Sequence, residues 1–150
     1  MSEHHSRIRW QRGDAPFTYE GYDRTHRWRF GGGAELEASS APEYRGRAEL
    51  PNPEEALVAA LSSCHMLTFL AIAARRRFTV ESYDDDAVGH MEKNAEGRLA
   101  VTRVELRPRI RFSGEKQPDA AELARLHELS HKECFIANSV KTEVSVVAES

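Results

Sequence analysis

Two cysteines and their neighbours are the residues of this chain whose types could do chemistry. Cys64 stands beside His65 in the apolar stretch "VAALSSCHMLTFLAIAA", residues 58–74, and Cys134 follows His131 in "SHKECFIANS", residues 130–139. A thiol so placed has three readings: a small buried residue, a metal ligand or a redox group. A zinc site would gather Cys64, His65, His131 and Cys134 around one ion. Adjacent residues on a helix project about 100° apart, however, so Cys64 and His65 cannot easily reach one metal while the helix stays regular. A redox role needs a thiolate, which apolar burial suppresses, so a positive charge must be brought to the sulfur. Cys64 lies about three turns into its helix, beyond the N-terminal dipole, and a side chain has to supply that charge. Arginine suits that role because it stays charged, and its planar fork can bind a thiolate, a developing oxyanion and a carboxylate together.

The elements that must position these residues are legible in outline. Residues 17–30, "FTYEGYDRTHRWRF", are rich in aromatic residues and Thr and run into "GGG" at 31–33, which predicts a hairpin turn between two strands. "PNPEEALVAAL" opens a helix, with Asn52 as cap, Pro53 at the first helical position and Glu55 completing a capping box. This helix is expected to run from about Pro53 to about Arg76. Its Leu57, Leu61, Met66, Leu67, Phe69, Leu70 and Ile72 spread around most of the circumference, which predicts a central, buried helix.

"FTVESYDDDAVGHMEK", the turn "NAEG" and "LAVTRVELRPRIRF" read as an antiparallel pair, with Ala100, Thr102, Val104, Leu106, Ile110 and Phe112 alternating with charged residues. "KQPDAAELARLHELSHKECF" reads as a second helix, started by Pro118 and Asp119, with Leu123, Leu126, Leu129 and Phe135 inward. "SVKTEVSVVA" closes the chain as a last strand. Grouped strands and helices predict an α+β fold with helices packed on antiparallel sheets.

The chain has 150 residues, which fits one domain over 1–150, with residues 1–16 expected as a poorly ordered or peripheral segment. A formal charge of −3 argues against a nucleic-acid binder, and the local basic patches "ARRRF" and "RPRIRF" read as solvated faces. The N-terminus lacks the apolar core of a signal peptide, and "MLTFLAIAA" is about half of a membrane span. A soluble cytoplasmic protein without membrane attachment is the expectation, and in that reducing compartment the two cysteines are not expected as a permanent staple.

"NPEEALVAALSSCHMLTFL" followed by "HKECFIANSVKTEV" resembles the signature of the OsmC/Ohr family, the osmotically inducible and organic-hydroperoxide-resistance proteins, and "ALSSCHMLTFL" with "CFIANSV" is similar to its OsmC-like branch. The resemblance covers the chain from about Tyr19 to Val147. It implies an intertwined homodimer and a thiol peroxidase that reduces organic hydroperoxides. Cys64 maps onto the cysteine that attacks the O–O bond, and Cys134 onto the one that resolves the sulfenic acid as a disulfide. An arginine of the N-terminal sheet would activate the thiol, with Arg24 favoured over Arg27, and Glu54 of "NPEE" would hold it. No metal, haem or flavin is implied, and the reductant would be an external dithiol, for which lipoyl-type or small thiols are the family's suggestion.

Geometry adds one step. Glu54 and Cys64 are ten positions apart on one predicted helix, hence about 15 Å along its axis. To share a site, Glu54 must come from a second subunit related by a two-fold axis. His65 and His131 are not needed as bases by an arginine-activated thiol. The rival expectation is a binding protein of the same fold that holds a lipid-like ligand in an apolar interface pocket, with both cysteines as core.

Overall fold

Asn52 starts the longest element: its Oδ1 accepts the Glu55 N–H at 2.9 Å, and helix α1 runs Pro53–Arg75. The helix stops where Arg77 turns left-handed at φ 65°, with Arg77 N–H donating to Ala74 O and Phe78 N–H to Ala73 O, both at 3.0 Å. Those two bonds satisfy carbonyls that the last turn leaves open. The computed structural model describes residues 1–147, so Ala148, the last residue of the predicted final strand, lies outside the described residues.

Within what the sequence reads as one domain, the chain forms two compact units, Met1–Ala56 and the chain from Leu57 onward. The first unit is a three-stranded antiparallel sheet, β1 (Ser6–Arg9), β2 (His26–Phe30) and β3 (Glu35–Ala38), in the order β1-β2-β3. The triple glycine makes the expected hairpin turn, with Gly33 at φ 100° and its N–H on Phe30 O at 2.9 Å. The segment 1–16, expected as a poorly ordered or peripheral segment, holds β1, a fully exposed edge strand paired with β2. One feature differs from expectation. Residues 17–25 are turns rather than strand, because Thr18 Oγ1 captures the Gly21 N–H at 3.0 Å and Asp23 Oδ1 the Thr25 N–H at 2.8 Å. Such local side-chain bonds compete with a ladder.

In the second unit the long predicted pair is split. Strand β4 (Thr79–Asp85) pairs antiparallel with β7 (Pro108–Ser113), while β5 (Val88–Lys93) pairs with β6 (Leu99–Leu106) in another sheet. The break falls at Arg107: Asp85 Oδ1 takes its N–H at 2.6 Å, and Pro108 has none to offer. The last strand, β8 (Glu143–Val146), joins β6 in parallel. Helix α2 (Ala120–Glu133) begins as predicted, Asp119 Oδ1 accepting the Glu122 N–H at 2.8 Å, and ends one residue before Cys134.

Two apolar clusters sit against α1. Phe69 and Ala73 pack with Phe78 and Leu126, flanked by Tyr83, Ile110 and Phe112, while Leu61 packs with Val104 and Leu106. The buried residues of α1 are therefore Leu61, His65, Phe69 and Ala73, one stripe at every fourth position. Within this single chain one face of the central helix is covered, and Leu67 on another is 61 % exposed. Phe135, expected inward, is 80 % exposed because α2 has already ended and the chain has changed direction. Whole, α1 has the length and hydropathy of a membrane span, yet its buried stripe is packed in these clusters.

Most arginines of the basic patch around β6 and β7 are paired. Arg103 meets Glu105 at 2.8 Å and Glu92 at 3.1 Å, Arg107 meets Glu105 at 2.7 Å, and Arg109 meets Asp86 at 3.0 Å. This is a solvated charge ladder, as its spacing suggested.

Helix α1 is seated on β5 through Gly89, where an added Cβ would lie 2.5 Å from Val58 Cγ2. The β-branched Val58 cannot swing away on its helix. Gly89→Ala is expected to destabilise the protein by about 1–3 kcal/mol in a urea melt, and Val58→Ala in that background to restore part of the loss. Equal stability of wild type and Gly89→Ala would show that the helix is not seated there.

Candidate functional site

Cys64 immediately precedes His65, a member of the buried stripe of α1, and so projects from the flank of that stripe; it is half-buried. Cys134 caps the C-terminus of α2, its N–H on His131 O at 3.4 Å, and is buried, 1 % exposed. The chain then folds into a one-turn 3-10 helix, Ala137–Ser139, whose Ala137 N–H donates to Cys134 Sγ at 3.4 Å. Both cysteines are free thiols. Burial pushes the Cys134 thiol above its ordinary range, and a hydrogen bond with the Cys64 side chain pushes it further. The two sulfurs are thus immediate neighbours, Cys134 held as the protonated partner.

Beside the thiols lies a seam of buried polar groups that the sequence reading largely missed. His65 Nε2 and His127 Nδ1 are 3.0 Å apart, with the rings nearly parallel at 12°. His65 Nδ1 is buried without a hydrogen-bond partner among the described residues, and so is the Tyr83 hydroxyl. Ser62 on α1 donates to Asp85 Oδ2, and Asp85 also holds the Arg107 N–H. Burial lowers the His65 pKa to about 4, helped by His127 and His131, and burial lowers that of His127 to about 4 against the pull of Asp85. Tyr83 is pushed above its ordinary range by burial and then by Asp85. The available signal for His127 was its place four residues after Leu123 on the inward stripe of α2. His131 is exposed. No group of three or more His, Cys, Asp or Glu among the described residues is arranged to hold a metal ion.

The remaining candidates belong to the first unit. Arg24 is half-buried in the turn before β2. Its Nη1 donates to Tyr22 O and its Nη2 to Tyr19 O, both at 2.6 Å, and its Cζ lies 3.6 Å from the Tyr22 ring centroid. Arg27 points from β2 to an exposed face and reaches Glu35 at 3.7 Å and Glu37 at 3.8 Å. Glu54 opens α1 half-buried, with no hydrogen bond or ion pair among the described residues.

Fold and thiols together define an α+β protein with two apposed reduced cysteines, one on a long central helix and one at the end of the next. The chain belongs to the OsmC-like family: the model described as OsmC-like protein matches residues 46–149. It is similar to an OsmC-like protein of unknown function from Vibrio cholerae, at 48 % identity over 98 % of this chain and 99 % of that one, with a TM-score of 0.93. The fold is also that of an organic hydroperoxide resistance protein from Elizabethkingia anophelis, at 16 % identity over 99 % of this chain and 98 % of that one, TM-score 0.72. The Bacillus subtilis organic hydroperoxide resistance protein shares it at 13 % identity over 97 % of this chain and 98 % of that one, TM-score 0.64. No curated protein matches the chain.

The histidine pair sets a pH dependence. Both imidazoles have folded pKa values of about 4, below the ordinary 6.5, so the unfolded chain binds more protons between these limits. Their contribution to stability is complete above pH 6.5 and is lost as pH falls toward 4. The melting temperature should therefore drop steadily from pH 7 to pH 4.5, and His127→Gln should flatten that slope. A melting temperature level over this range would contradict the neutral, buried pair.

Proposed function

We propose that this protein is a cysteine-based peroxidase that reduces organic hydroperoxides. The single observation that carries this reading is the apposition of Cys64 and Cys134 as neighbouring free thiols. In the first step the Cys64 thiolate attacks the distal oxygen of ROOH. The O–O bond breaks, sulfur becomes the sulfenic acid Cys64–SOH, and RO⁻ takes up a proton to leave as the alcohol. In the second step Cys134 attacks the Cys64 sulfur: an S–S bond forms, the S–OH bond breaks, and the Cys134 proton leaves with the hydroxide as water. An external dithiol, of lipoyl type or a small-molecule equivalent, then takes over the disulfide by two exchanges and restores both thiols.

Cys134 must shed its proton as it attacks, and the hydroxide leaving Cys64 takes that proton up as water. Arg24 is the better candidate for the activating cation, because Arg27 is engaged by two carboxylates on an exposed face, while Arg24 is fixed by two carbonyls and an aromatic ring. Glu54 would orient it. Glu54 and Cys64 lie on one unbroken helix, about 15 Å apart along its axis, so the reading requires Glu54 of a second subunit and hence a homodimer. The uncovered apolar face of α1, including Leu67, supports such a partner. A soluble, cytoplasmic protein without resident metal or cofactor fits the thiol chemistry.

A second reading, a non-catalytic binder of a lipid-like ligand, is supported by a cavity of about 590 Å³ between α2 and the strands β7 and β8, lined by Ile110, Leu123, Val144 and Val146. Mass spectrometry of the protein before and after one equivalent of cumene hydroperoxide separates the two. The peroxidase reading expects loss of both thiols and one Cys64–Cys134 disulfide, no reaction in Cys64→Ser, and over-oxidised Cys64 in Cys134→Ser. Thiols that survive the peroxide favour the binder. Arg24→Ala is expected to slow thiol oxidation by roughly 100- to 1,000-fold, and light scattering should give a dimer; a stable, active monomer would remove the role of Glu54.

A further inference from the structure

Trp10, Phe17 and Tyr22 form a ring cluster in the first unit that is not used as core. Their centroids lie 5.9 Å (Trp10–Phe17), 6.1 Å (Trp10–Tyr22) and 5.4 Å (Phe17–Tyr22) apart, and the planes cross at 52°, 86° and 40°. Rings tilted in this way make walls rather than a stacked plug. Phe17 is 69 % exposed and Trp10 40 % exposed, so these large apolar faces are left open. Together with Arg24 they line a cavity of about 400 Å³.

The cup is held in shape. Trp10 Nε1 donates to Asp23 O at 2.7 Å, tying the chain after β1 to the turn that carries Arg24. Three other polar side chains of the lining each make one bond of their own: His26 Nδ1 is bonded to Arg24 O at 2.7 Å, Ser39 Oγ accepts the Arg47 N–H at 3.0 Å, and Ser40 Oγ donates to Tyr44 O at 3.0 Å. Arg24 is thus the one charged group in the lining, and two carbonyl bonds leave three of its five N–H donors for a ligand. A cation set in a wall of rings suits a ligand with an apolar aromatic end and an oxygen that gains negative charge.

Volume narrows the class further. At about 400 Å³ the cavity lies in the lower part of the range for ligand pockets, enough for one ring with a short branched substituent and too small for a long acyl chain. We propose that this aromatic cup is the specificity pocket of the protein, receiving the aryl group of an arylalkyl hydroperoxide while Arg24 faces the peroxide oxygens. The proposal rests on the reading of Arg24 as the activating arginine, and it makes Trp10 and Phe17 specificity-determining residues.

Two measurements test it. The chain has two tryptophans, so Trp28→Phe leaves Trp10 as the sole indole, and its emission is titrated with 2-phenyl-2-propanol, the alcohol formed from cumene hydroperoxide. In parallel, kcat/KM for cumene hydroperoxide, linoleic acid hydroperoxide and hydrogen peroxide is compared in wild type, Trp10→Ala and Phe17→Ala. A saturable change in Trp10 emission is expected, with cumene hydroperoxide preferred by the wild type and that preference falling roughly 10-fold or more in either variant. Peroxide turnover with an unmoved preference and a silent Trp10 overturns the cup and leaves the peroxidase reading intact. No turnover by the wild type, with saturable alcohol binding, removes the peroxidase reading and keeps an aryl-binding cup. Trp10 emission that follows protein concentration instead of alcohol assigns the rings to contact with a second copy and overturns the proposal.

Discussion

The rotation of α1 about its own axis is the constraint on which the thiol site depends. Four buried side chains, spaced every fourth residue, set it: Leu61, Phe69 and Ala73 are sunk into the two apolar clusters, and His65 lies between them against His127. With that stripe inward, the residue before His65 must emerge about 100° around the helix. That residue is Cys64, and the place where it emerges is where the end of α2 delivers Cys134. A stripe displaced by one residue would bury Cys64 and turn its sulfur away from any partner. The packing of these four residues thus decides where the two thiols stand relative to one another.

His65 occupies one of these four positions, and its burial is tolerated because it is neutral and bonded to His127. The pair belongs to a polar seam that includes Ser62, Tyr83 and Asp85. Asp85 joins the layers there, bonding Ser62 of α1 and the backbone of Arg107, where the chain passes from one sheet to the next. A buried network of this kind costs free energy wherever a member is left unpaired, but it fixes the layers against one another in a single register.

The first unit solves a different problem, the immobilisation of a long cation, by turn chemistry. Thr18 and Asp23 capture backbone N–H groups, and the turns so formed present the Tyr19 and Tyr22 carbonyls to one guanidinium. The Tyr22 ring then covers its face. Arg24 is therefore held in one orientation by the turn that carries it.

Much of this was legible in the residues alone. The caps Asn52 and Asp119, the triple-glycine turn, both helices and the α+β class follow from local propensity and spacing, which act over a few residues and need no knowledge of what packs where. The two cysteines and the candidate arginine were legible through their motifs. The tertiary structure decided what depends on partners distant in the chain. It determined that one face of α1 is covered and not all of it, that the β4–β7 and β5–β6 pairs part company at Arg107, and that Phe135 turns outward once α2 has ended. It also decided that His127 pairs with His65 and that Trp10 and Phe17 stand as open walls beside Arg24. Apolar periodicity says that a surface wants to be buried; only the assembled chain says against what, and which groups are left to meet something else.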